Sequence, residues 1–388
     1  MSNPRVVIIG GGVIGAAAAC FLARDFGVRA VVIERDPAYR VASSALSASS
    51  IRQQFSAEIN IRLSQHSLHF LRRIGEELEV DGERPQIGLT ERGYLFLASA
   101  AGRATLAANH AVQARCGADV VLLSVAELKA RFGWLEVGDL AAASLGCSGE
   151  GWFDGYSVLQ AFRRKAIALG VRFVAKEVSQ LRARGAALSV VLDDGERIDA
   201  DATLLAAGAW SAPLAAQLGF DLPVGPRKRD VFVFDSPASL PGCPLVIDPS
   251  GFWFRPEGRG FIAGAPPRGE DRDGVALEDI DHGLFDEVIW PALAARIPAF
   301  EALRVTRAWA GYYEYNRFDQ NGLVGRLPGY DDVFIACGFS GHGMQHAPAV
   351  GRAIAELIAT GNYKTLDLVP LSPTRIAANA PLRERNVI

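Results

Sequence analysis

Three glycines near the start of the chain have the spacing of a dinucleotide-binding turn. Gly10, Gly12 and Gly15 follow an apolar, β-branched run at residues 5–9 and precede a predicted alanine-rich helix at residues 16–24. The first glycine permits a tight turn, the second lets the backbone approach a pyrophosphate, and the third lets the helix pack against the strand. The N-terminus of that helix would offer free N–H groups and its positive dipole end to phosphates.

A carboxylate stands at the end of the next predicted strand. Residues 30–33 are apolar and lead directly into Glu34. A carboxylate at this point accepts hydrogen bonds from a ribose 2′-hydroxyl and would repel a 2′-phosphate. The strand, glycine turn, helix, second strand and acid together predict that the chain binds FAD or NAD rather than NADP.

Composition argues against several other classes of protein. The chain has 388 residues, of which 49% are hydrophobic, which is enough for a large core and for two domains. Its net charge of −3 comes without a basic block, so nucleic acid and anionic membranes are not expected as partners. The five cysteines form no C-x-x-C pair, and we expect neither a metal site nor a disulfide framework. The sequence contains no apolar run of membrane-spanning length and no leader-like segment, which favours a cytoplasmic protein.

The elements that follow the first motif must position any substrate. Residues 42–50 are rich in serine, and we interpret them as a loop that lines a phosphate or flavin rather than as a flexible linker. Residues 51–78 have apolar side chains at helical spacing and predict a helix with Arg52 at its start. Arg52 is then either an anion-binding residue or an ordinary surface arginine, and spacing alone favours the second.

Two later strand ends carry glycines like the first one. Residues 201–211 predict an apolar strand that ends in an Ala-Gly pair, and residues 333–337 predict another that runs into a glycine-rich turn. A helix predicted at residues 348–359 follows that turn, so a second helix N-terminus could face an anionic atom. Between these strands, residues 222–319 interleave short strand-like runs with prolines and aromatic residues, which predicts a mixed or antiparallel sheet.

Three segments taken together resemble a known family. They are VVIIGGGVIGAAAA near the N-terminus, ATLLAAGAWS in the middle and DDVFIACGFSGHGMQHAPAVGRAIAELI near the C-terminus. They resemble the FAD-dependent amine and amino-acid oxidoreductases, the family of D-amino-acid oxidase, glycine oxidase and sarcosine oxidase, and the likeness extends over nearly the whole chain. IRQQFS, GHGMQHAPAVGRA and the tail through ERNVI resemble in particular the FAD-dependent oxidoreductase domain-containing proteins, a group linked to assembly of mitochondrial respiratory complex I.

The resemblance implies an α/β fold in two domains. One is a Rossmann-type FAD-binding domain built from discontinuous segments, residues 1–86, 145–218 and 325–388. The other is an α+β substrate domain, residues 87–144 and 219–324, whose mixed or antiparallel sheet covers the isoalloxazine ring. The implied cofactor is FAD, bound non-covalently. The implied partners are a small amine or amino-acid substrate and an electron acceptor, oxygen or another, that the resemblance does not identify.

The same resemblance assigns residues to the cofactor. The glycine turn would hold the pyrophosphate, Glu34 the adenosine ribose and Val178 the adenine. The turn at residues 341–344 would reach the flavin, with the dipole of the following helix acting on its N1–C2=O side. The cofactor-binding residues assigned in this way are Gly10, Gly12, Val13, Ile14, Gly15, Glu34, Arg35, Ser43, Ser44, Ser47, Ala48, Val178, Ala207, Gly208, Trp210, Gly311, Gly338, Gly341, His342, Gly343, Met344 and Gln345.

Four residues are assigned to substrate chemistry in the same way. They are Arg52, Tyr313, His342 and Gln345. Arg52 would hold a substrate carboxylate through a bidentate contact, and Tyr313 would donate a hydrogen bond to it or cap the pocket. His342 would tune the charge of the flavin or the protonation of the substrate, or would serve only the backbone of the turn. Three further aromatic residues would form either pocket walls or sheet core, namely Trp253, Phe254 and Tyr312.

The chain departs from the family at positions that bear on its chemistry. Gly311 falls near the position of the cysteine to which some sarcosine oxidases attach FAD. Glycine has no side chain that could form this bond, which excludes covalent attachment there. Ile262 falls near the position of the family lysine that is thought to help oxygen react. The absence of a cation there favours a dehydrogenase over an oxidase. Gln345 and Tyr313 replace the residues that bind the carboxylate in sarcosine oxidase and glycine oxidase. Arg52, Tyr313 and Arg255 would replace that carboxylate clamp in part.

Two alternatives stay open. The altered carboxylate site is compatible with a flavin-bearing assembly or scaffold protein that has weak or no turnover. The first glycine turn alone is compatible with a nicotinamide-dependent Rossmann dehydrogenase, although the two later glycine-rich strand ends argue against it. An absorbance spectrum separates the nicotinamide hypothesis from the FAD hypothesis, because only bound FAD gives flavin bands.

Overall fold

The computed structural model describes residues 5–184 and 187–385. The strands, in chain order, are β1 Val6–Ile9, β2 Val31–Ile33, β3 Ser50–Ile51, β4 Tyr94–Ala98, β5 Val120–Leu123, β6 Ala142–Gly146, β7 Gly151–Trp152, β8 Arg172–Val174, β9 Val178–Arg184, β10 Ala187–Leu192, β11 Arg197–Ala200, β12 Ala202–Leu205, β13 Val224–Asp235, β14 Leu245–Ile247, β15 Trp253–Glu257, β16 Gly260–Gly264, β17 Arg304–Asn316, β18 Leu323–Arg326 and β19 Val333–Cys337.

The helices range from single turns to the long helix near the C-terminus. They are α1 Val13–Phe26, α2 Ser43–Leu46, α3 Glu58–Arg72, α4 Ile74–Glu77, α5 Arg103–Arg115, α6 Val125–Arg131, α7 Gly155–Ala168, α8 Ser211–Ala216, α9 His282–Leu284, α10 Trp290–Arg296, α11 Gly343–Thr360 and α12 Thr374–Ala377. Short 3₁₀ turns cover Gly208–Trp210, Pro298–Ala302 and Val369–Leu371. A π-helical turn at Phe285–Ile289 joins α9 to α10. None of the helices in the described ranges is both long and apolar enough to cross a membrane.

A six-stranded sheet forms the first core. Its order is β18-β19-β12-β1-β2-β8, parallel except for β18 at one edge. β1 reads VVII and is buried throughout, because α1, α7 and α11 cover one face and the β9–β11 sheet covers the other. Since β1, β12 and β19 are adjacent and parallel, the three glycine-bearing strand ends lie side by side.

An eight-stranded sheet forms the second core. Its order is β17-β13-β16-β15-β14-β4-β6-β5, and the β14–β4 pair is parallel whereas its other pairs are antiparallel. Aromatic side chains such as Phe232, Phe234 and Phe254 fill the space between one face of this sheet and α9–α10. The two sheets confirm the predicted fold class of a Rossmann-type part and an α+β part. We propose for the folded chain the division into domains given above.

The helix predicted over residues 51–78 is wrong at its start. Ser50–Ile51 is a short strand, residues 52–56 are extended or bent, and α3 begins only at Glu58. The backbone N–H groups of Gln53 and Gln54 donate to the Glu150 carboxylate at 2.6 and 3.1 Å, and this distant partner replaces the helical hydrogen bonds. Arg52 therefore precedes the helix instead of opening it.

The last long helix begins earlier than predicted. The sequence predicts this helix at residues 348–359, with Pro348 as its first residue. The structure starts α11 at Gly343 and keeps Pro348 inside it, with residues 344–351 all buried. Burial of these residues offsets the loss of the backbone hydrogen bond that proline cannot donate. The helix N-terminus consequently lies directly at the glycine-rich turn.

Candidate active site

One cavity of about 430 Å³ connects the two sheets. Its lining comes from the carboxyl ends of β1, β2 and β12, from the serine-rich loop and from one face of the eight-stranded sheet. This volume lies within the usual range for small-molecule sites. The position at the carboxyl ends of parallel strands is the usual ligand site of an open α/β sheet.

The glycine turn is closed by backbone contacts. Gly10 has φ +102°, and a Cβ atom there would overlap the carbonyl group of Ala206. A Cβ atom on Gly15 would overlap the carbonyl oxygen of Gly10. The turn between β1 and α1 therefore depends on glycine at both positions, as the spacing predicted.

The start of α1 has the features of a phosphate site. Gly12 provides no side-chain cap, and the first turn contains no acidic residue. The Ser44 hydroxyl accepts a hydrogen bond from Val13 N at 3.0 Å, and the buried Ser43 hydroxyl has no hydrogen-bond partner. A free hydroxyl in the same cavity as the positive end of a 14-residue helix fits a diphosphate.

The other contacts of a nucleotide lie next to this turn. The Glu34 carboxylate accepts hydrogen bonds from Gly11 N at 2.8 Å and Asp36 N at 2.9 Å, which hold it at the cavity wall. Its pKa is raised because burial disfavours the charged form. The Arg35 guanidinium lies 4.4 Å from the ring centroid of Trp210, and both line the cavity.

The structure brings together nearly all of the predicted cofactor and substrate residues. Two predicted cofactor residues, Gly15 and Gly338, do not line the cavity. Gly15 permits close packing of α1 on β1. Gly338 has φ +76° with Val224 close to its missing side chain, so it shapes the turn after β19. The predicted residues that line the cavity are Gly10, Gly12, Val13, Ile14, Glu34, Arg35, Ser43, Ser44, Ser47, Ala48, Arg52, Val178, Ala207, Gly208, Trp210, Gly311, Tyr313, Gly341, His342, Gly343, Met344 and Gln345.

Arg52 lines the same cavity as Glu34 and is almost fully buried, with 3% of its surface exposed. Its Nη2 lies 3.0 Å from His342 Nε2, and its backbone N donates to Gln345 Oε1 at 2.9 Å. The guanidinium also lies over the rings of Phe55 and Phe96 at 4.6 and 5.3 Å. The expectation of a surface arginine, which spacing alone favoured, is wrong.

His342 is a neutral hydrogen-bond acceptor in this arrangement. Burial and the adjacent Arg52 charge hold the pKa of His342 well below its usual value. Because Arg52 can only donate, Nε2 of His342 accepts the hydrogen bond. The histidine therefore orients the guanidinium without adding a second positive charge.

Arg52 has no carboxylate partner in the part of the chain that the structure describes. Its Nε atom is buried without a hydrogen-bond partner. The nearby Glu150 is directed elsewhere, since its oxygens accept from Gln53 N, Gln54 N and Gln54 Nε2. Burial raises the pKa of Glu150 to about 7. A buried arginine donor without a hydrogen-bond partner is unusual in a folded protein.

The walls around Arg52 correct some predicted roles. Trp253 and Tyr312 line the cavity, whereas Phe254 lies fully buried in the sheet core. Arg255 does not line the cavity either. It pairs with Glu257 and donates to the carbonyl oxygen of Ala48 at 2.7 Å, so it cannot share a carboxylate with Arg52.

Sequence reasoning missed many of the residues that line the cavity. Tyr94, Arg229 and Glu314 are among them. Arg229 pairs in register with Gly311 across β13 and β17, and its charge is matched by Asp271 at 2.8–2.9 Å. Glu314 follows Tyr313 in a strand that is rich in aromatic residues. An acidic residue at such a position was the signal that could have identified it from the sequence.

The fold and the cavity define an FAD-binding oxidoreductase of the α/β class. Residues 5–357 match the family model described as FAD dependent oxidoreductase, and the chain belongs to that family. FAD is therefore its cofactor, as predicted. The free Ser43 hydroxyl, the N-terminus of α1 and Glu34 fit the diphosphate and ribose of FAD.

Known proteins of similar sequence and structure carry oxidoreductase names. FAD-dependent oxidoreductase domain-containing protein 1 of Xenopus laevis is 43% identical over 99% of this chain and 84% of that protein. The crystal structure of L-proline dehydrogenase from P. horikoshii superposes with a TM-score of 0.85 at 28% identity, covering 98% of this chain and 99% of the other. Glycine oxidase from Geobacillus kaustophilus superposes at 0.82 with 26% identity, covering 96% and 99%.

Proposed function

We propose that this protein oxidises the C–N bond of a small amine or amino acid and that Arg52 binds the carboxylate of its substrate. Bound FAD supplies the hydride acceptor for this reaction at its N5 atom, and the resulting imine is hydrolysed by water. Glycine oxidase and L-proline dehydrogenase, two of the structural relatives, are named for small amino acids. The proposal transfers that substrate class to this chain.

The observation that supports the proposal is the open guanidinium of Arg52. A fixed, buried cation at a cavity wall attracts an anion far more strongly than an exposed one. The neutral His342 acceptor and the aromatic rings of Phe55 and Phe96 hold the guanidinium plane in place. A carboxylate that takes the free donor positions on Arg52 would be held in one orientation.

The remaining walls would exclude water from the reacting carbon. Tyr94, Trp253 and Tyr313 line the cavity with large aromatic surfaces. Tyr313 also packs against Gly341 in the turn before α11, where a Cβ atom would lie 2.7 Å from the tyrosine ring. An apolar enclosure favours the uncharged form of the amine. The C–H bond on the carbon next to the amine nitrogen can then release a hydride.

Gly311 and Ile262 bear on how the cofactor is held and reoxidised. Gly311 lines the cavity and offers no nucleophile, which supports non-covalent FAD. Ile262 is buried and does not line the cavity, so it offers no cation to oxygen. We propose a dehydrogenase that passes electrons to an acceptor other than oxygen. Equal turnover with oxygen and with an artificial acceptor would contradict this.

The most direct test is anaerobic bleaching of the bound flavin by a panel of matched pairs. Each pair consists of an amino acid and the corresponding amine without the carboxylate. Wild-type protein is expected to be bleached by at least one amino acid at concentrations where its amine partner does nothing. The flavin absorbance is the readout, and no acceptor is needed.

Substitution of Arg52 sharpens this test. Arg52→Ala is expected to raise KM for the amino acid about 100-fold, because it removes a charged hydrogen bond of about 2–3 kcal/mol. Arg52→Lys keeps the charge but loses the planar fork, and we expect an intermediate effect. FAD content measured by absorbance stays unchanged in both variants. An unchanged KM in Arg52→Ala would remove Arg52 from the substrate site.

Bound FAD that no amine bleaches would instead favour the second hypothesis, a flavin-bearing assembly or scaffold protein. The replacement of the family's carboxylate-binding residues by Tyr313 and Gln345 supports that alternative. It further predicts that Arg52→Ala changes neither the flavin spectrum nor the recovery of partner proteins.

A further inference from the structure

We propose that Glu314 holds a proton when FAD is bound and donates a hydrogen bond from its carboxyl group to the cofactor. This inference concerns how the chain binds FAD. It stands whether or not an amine is the substrate.

Glu314 is built into the wall of the cofactor cavity. It lies on β17 opposite Pro226 of β13, one residue after Tyr313. A Cβ atom on Gly343, at the start of α11, would lie 3.0 Å from its Oε1 atom, and one on Gly208 would lie 3.5 Å from Oε2. The carboxyl group is therefore packed tightly against Gly343 and lies within van der Waals reach of Gly208, and both of these glycines line the same cavity.

The surroundings of Glu314 supply no cation to match a negative charge. The thiol of Cys337 on β19 faces it, and burial keeps that thiol neutral. His342, immediately before α11, is also neutral. Arg227 and Arg229 on the paired strand are bound to Asp271 and Asp273. Among the described residues, no salt bridge reaches Glu314.

The electrostatics of the cavity favour the protonated carboxyl group. Burial raises the pKa of Glu314 to about 7, and the backbone N–H groups of Gly338 and Phe339 offset this effect only in part. The diphosphate of FAD brings further negative charge into the same cavity, which disfavours an ionised Glu314 still more. A neutral carboxylic acid in an enclosed site can donate a hydrogen bond that a carboxylate cannot.

The proposal predicts a pH dependence of FAD binding with a definite sign. The pKa of Glu314 is higher in the complex than in the free protein. Below about pH 7 the free protein already carries the proton, so affinity is constant there. Above that pH each binding event must take up one proton, and the affinity falls about tenfold per pH unit until the pKa of the complex is reached.

Two measurements on the full chain test the proposal. The first is infrared spectroscopy of the FAD-bound protein at pH 8, in which Glu314→Gln should lose a band of a protonated carboxyl group. The second is FAD affinity from flavin fluorescence between pH 6 and 9. Wild-type affinity should fall at least tenfold over this range, whereas Glu314→Gln, whose amide donates at every pH, should change by less than twofold.

Glu91→Gln is the control. Glu91 is a carboxylate that does not line the cavity, so this variant should keep the wild-type pH dependence of FAD affinity. Glu314→Leu, which cannot donate, should bind FAD about tenfold more weakly than Glu314→Gln at pH 6, as expected for one lost hydrogen bond.

Three results would overturn the proposal. They are an infrared carboxyl band that survives in Glu314→Gln, a wild-type affinity that is flat with pH, and a Glu314→Gln variant that keeps the wild-type slope. If Glu314→Gln does not fold, the wild-type protein still decides the matter, because mixing it with FAD at pH 8 in weak buffer should take up about one proton per FAD. No proton uptake would overturn the proposal.

Discussion

Two parts of the cavity wall are built in different ways. We call the part formed by the glycine turn and Glu34 the nucleotide end, and the part around Arg52 the Arg52 end. At the nucleotide end, a strand, a glycine turn and a helix within residues 6–26 supply backbone N–H groups, and Glu34 follows on the adjacent strand. At the other end, Arg52, Glu150 and His342 come from segments about 100–290 residues apart. Contiguous backbone thus defines one end, whereas side chains that meet only in the folded protein define the other.

The largest effect is expected from a change at the nucleotide end. Gly10→Ala puts a Cβ atom into the carbonyl of Ala206 at a positive φ, which should destabilise the fold by about 3 kcal/mol or more and abolish FAD binding. FAD content after purification and the thermal midpoint are the measurements.

The control for this variant separates backbone strain from close packing. Gly195 also has a positive φ, but nothing lies within 4 Å of the position of its missing side chain. Gly195→Ala should cost only about 1 kcal/mol and leave FAD bound. If Gly10→Ala retained FAD, the turn would not depend on the close approach of β1 and β12.

The nucleotide end could be predicted from sequence because its determinants are local. The glycine spacing, the apolar run before it and the acid after the next strand each indicate one conformation within about 30 residues. The adjacency of the three glycine-bearing strand ends is a tertiary fact. The strand order β19-β12-β1 shows it in the folded chain.

The Arg52 end could not be predicted in the same way. The apolar spacing of residues 51–78 indicated a helix, because nothing in that segment reveals that Glu150 binds the backbone N–H groups of Gln53 and Gln54. Whether Arg52 is a surface arginine or a buried one depends on those hydrogen bonds. Glu314 was missed for a related reason, since its environment is formed by Gly208 and Gly343 from other segments.

The second prediction tests whether distant side chains position Arg52. Glu150→Gln replaces an acceptor of Gln54 Nε2 with an NH₂ group, so two donors meet in a buried site at a cost of about 1–3 kcal/mol. We expect Arg52 to lose its fixed position and KM for the substrate to rise about tenfold, while FAD stays bound at neutral pH. Steady-state kinetics and the flavin spectrum measure the two effects.

Glu91→Gln is the matched control for Glu150→Gln. Glu91 also accepts a backbone hydrogen bond in this loop, from Gly149 N at 2.9 Å, but it pairs with Arg72 and does not contact residues 52–54. Its KM should stay within about twofold of wild type, as for a partly exposed ion pair. Equal effects of the two variants would mean that the loop as a whole, and not the Glu150 carboxylate, positions Arg52.

The smallest effect is expected from the C-terminal tail, which reaches the Arg52 end from outside the cavity. Glu384 accepts hydrogen bonds from Ser56 N at 2.6 Å and Asn60 Nδ2 at 2.7 Å, where α3 begins. Glu384→Gln should lower stability by about 1 kcal/mol, a loss typical of a helix cap, and leave FAD content unchanged. Arg385→Ala is the control, because Arg385 donates to Ser56 Oγ through its backbone N, which the substitution keeps. A Glu384→Gln variant that loses FAD but keeps its thermal midpoint would show that the two ends of the cavity are not independently built.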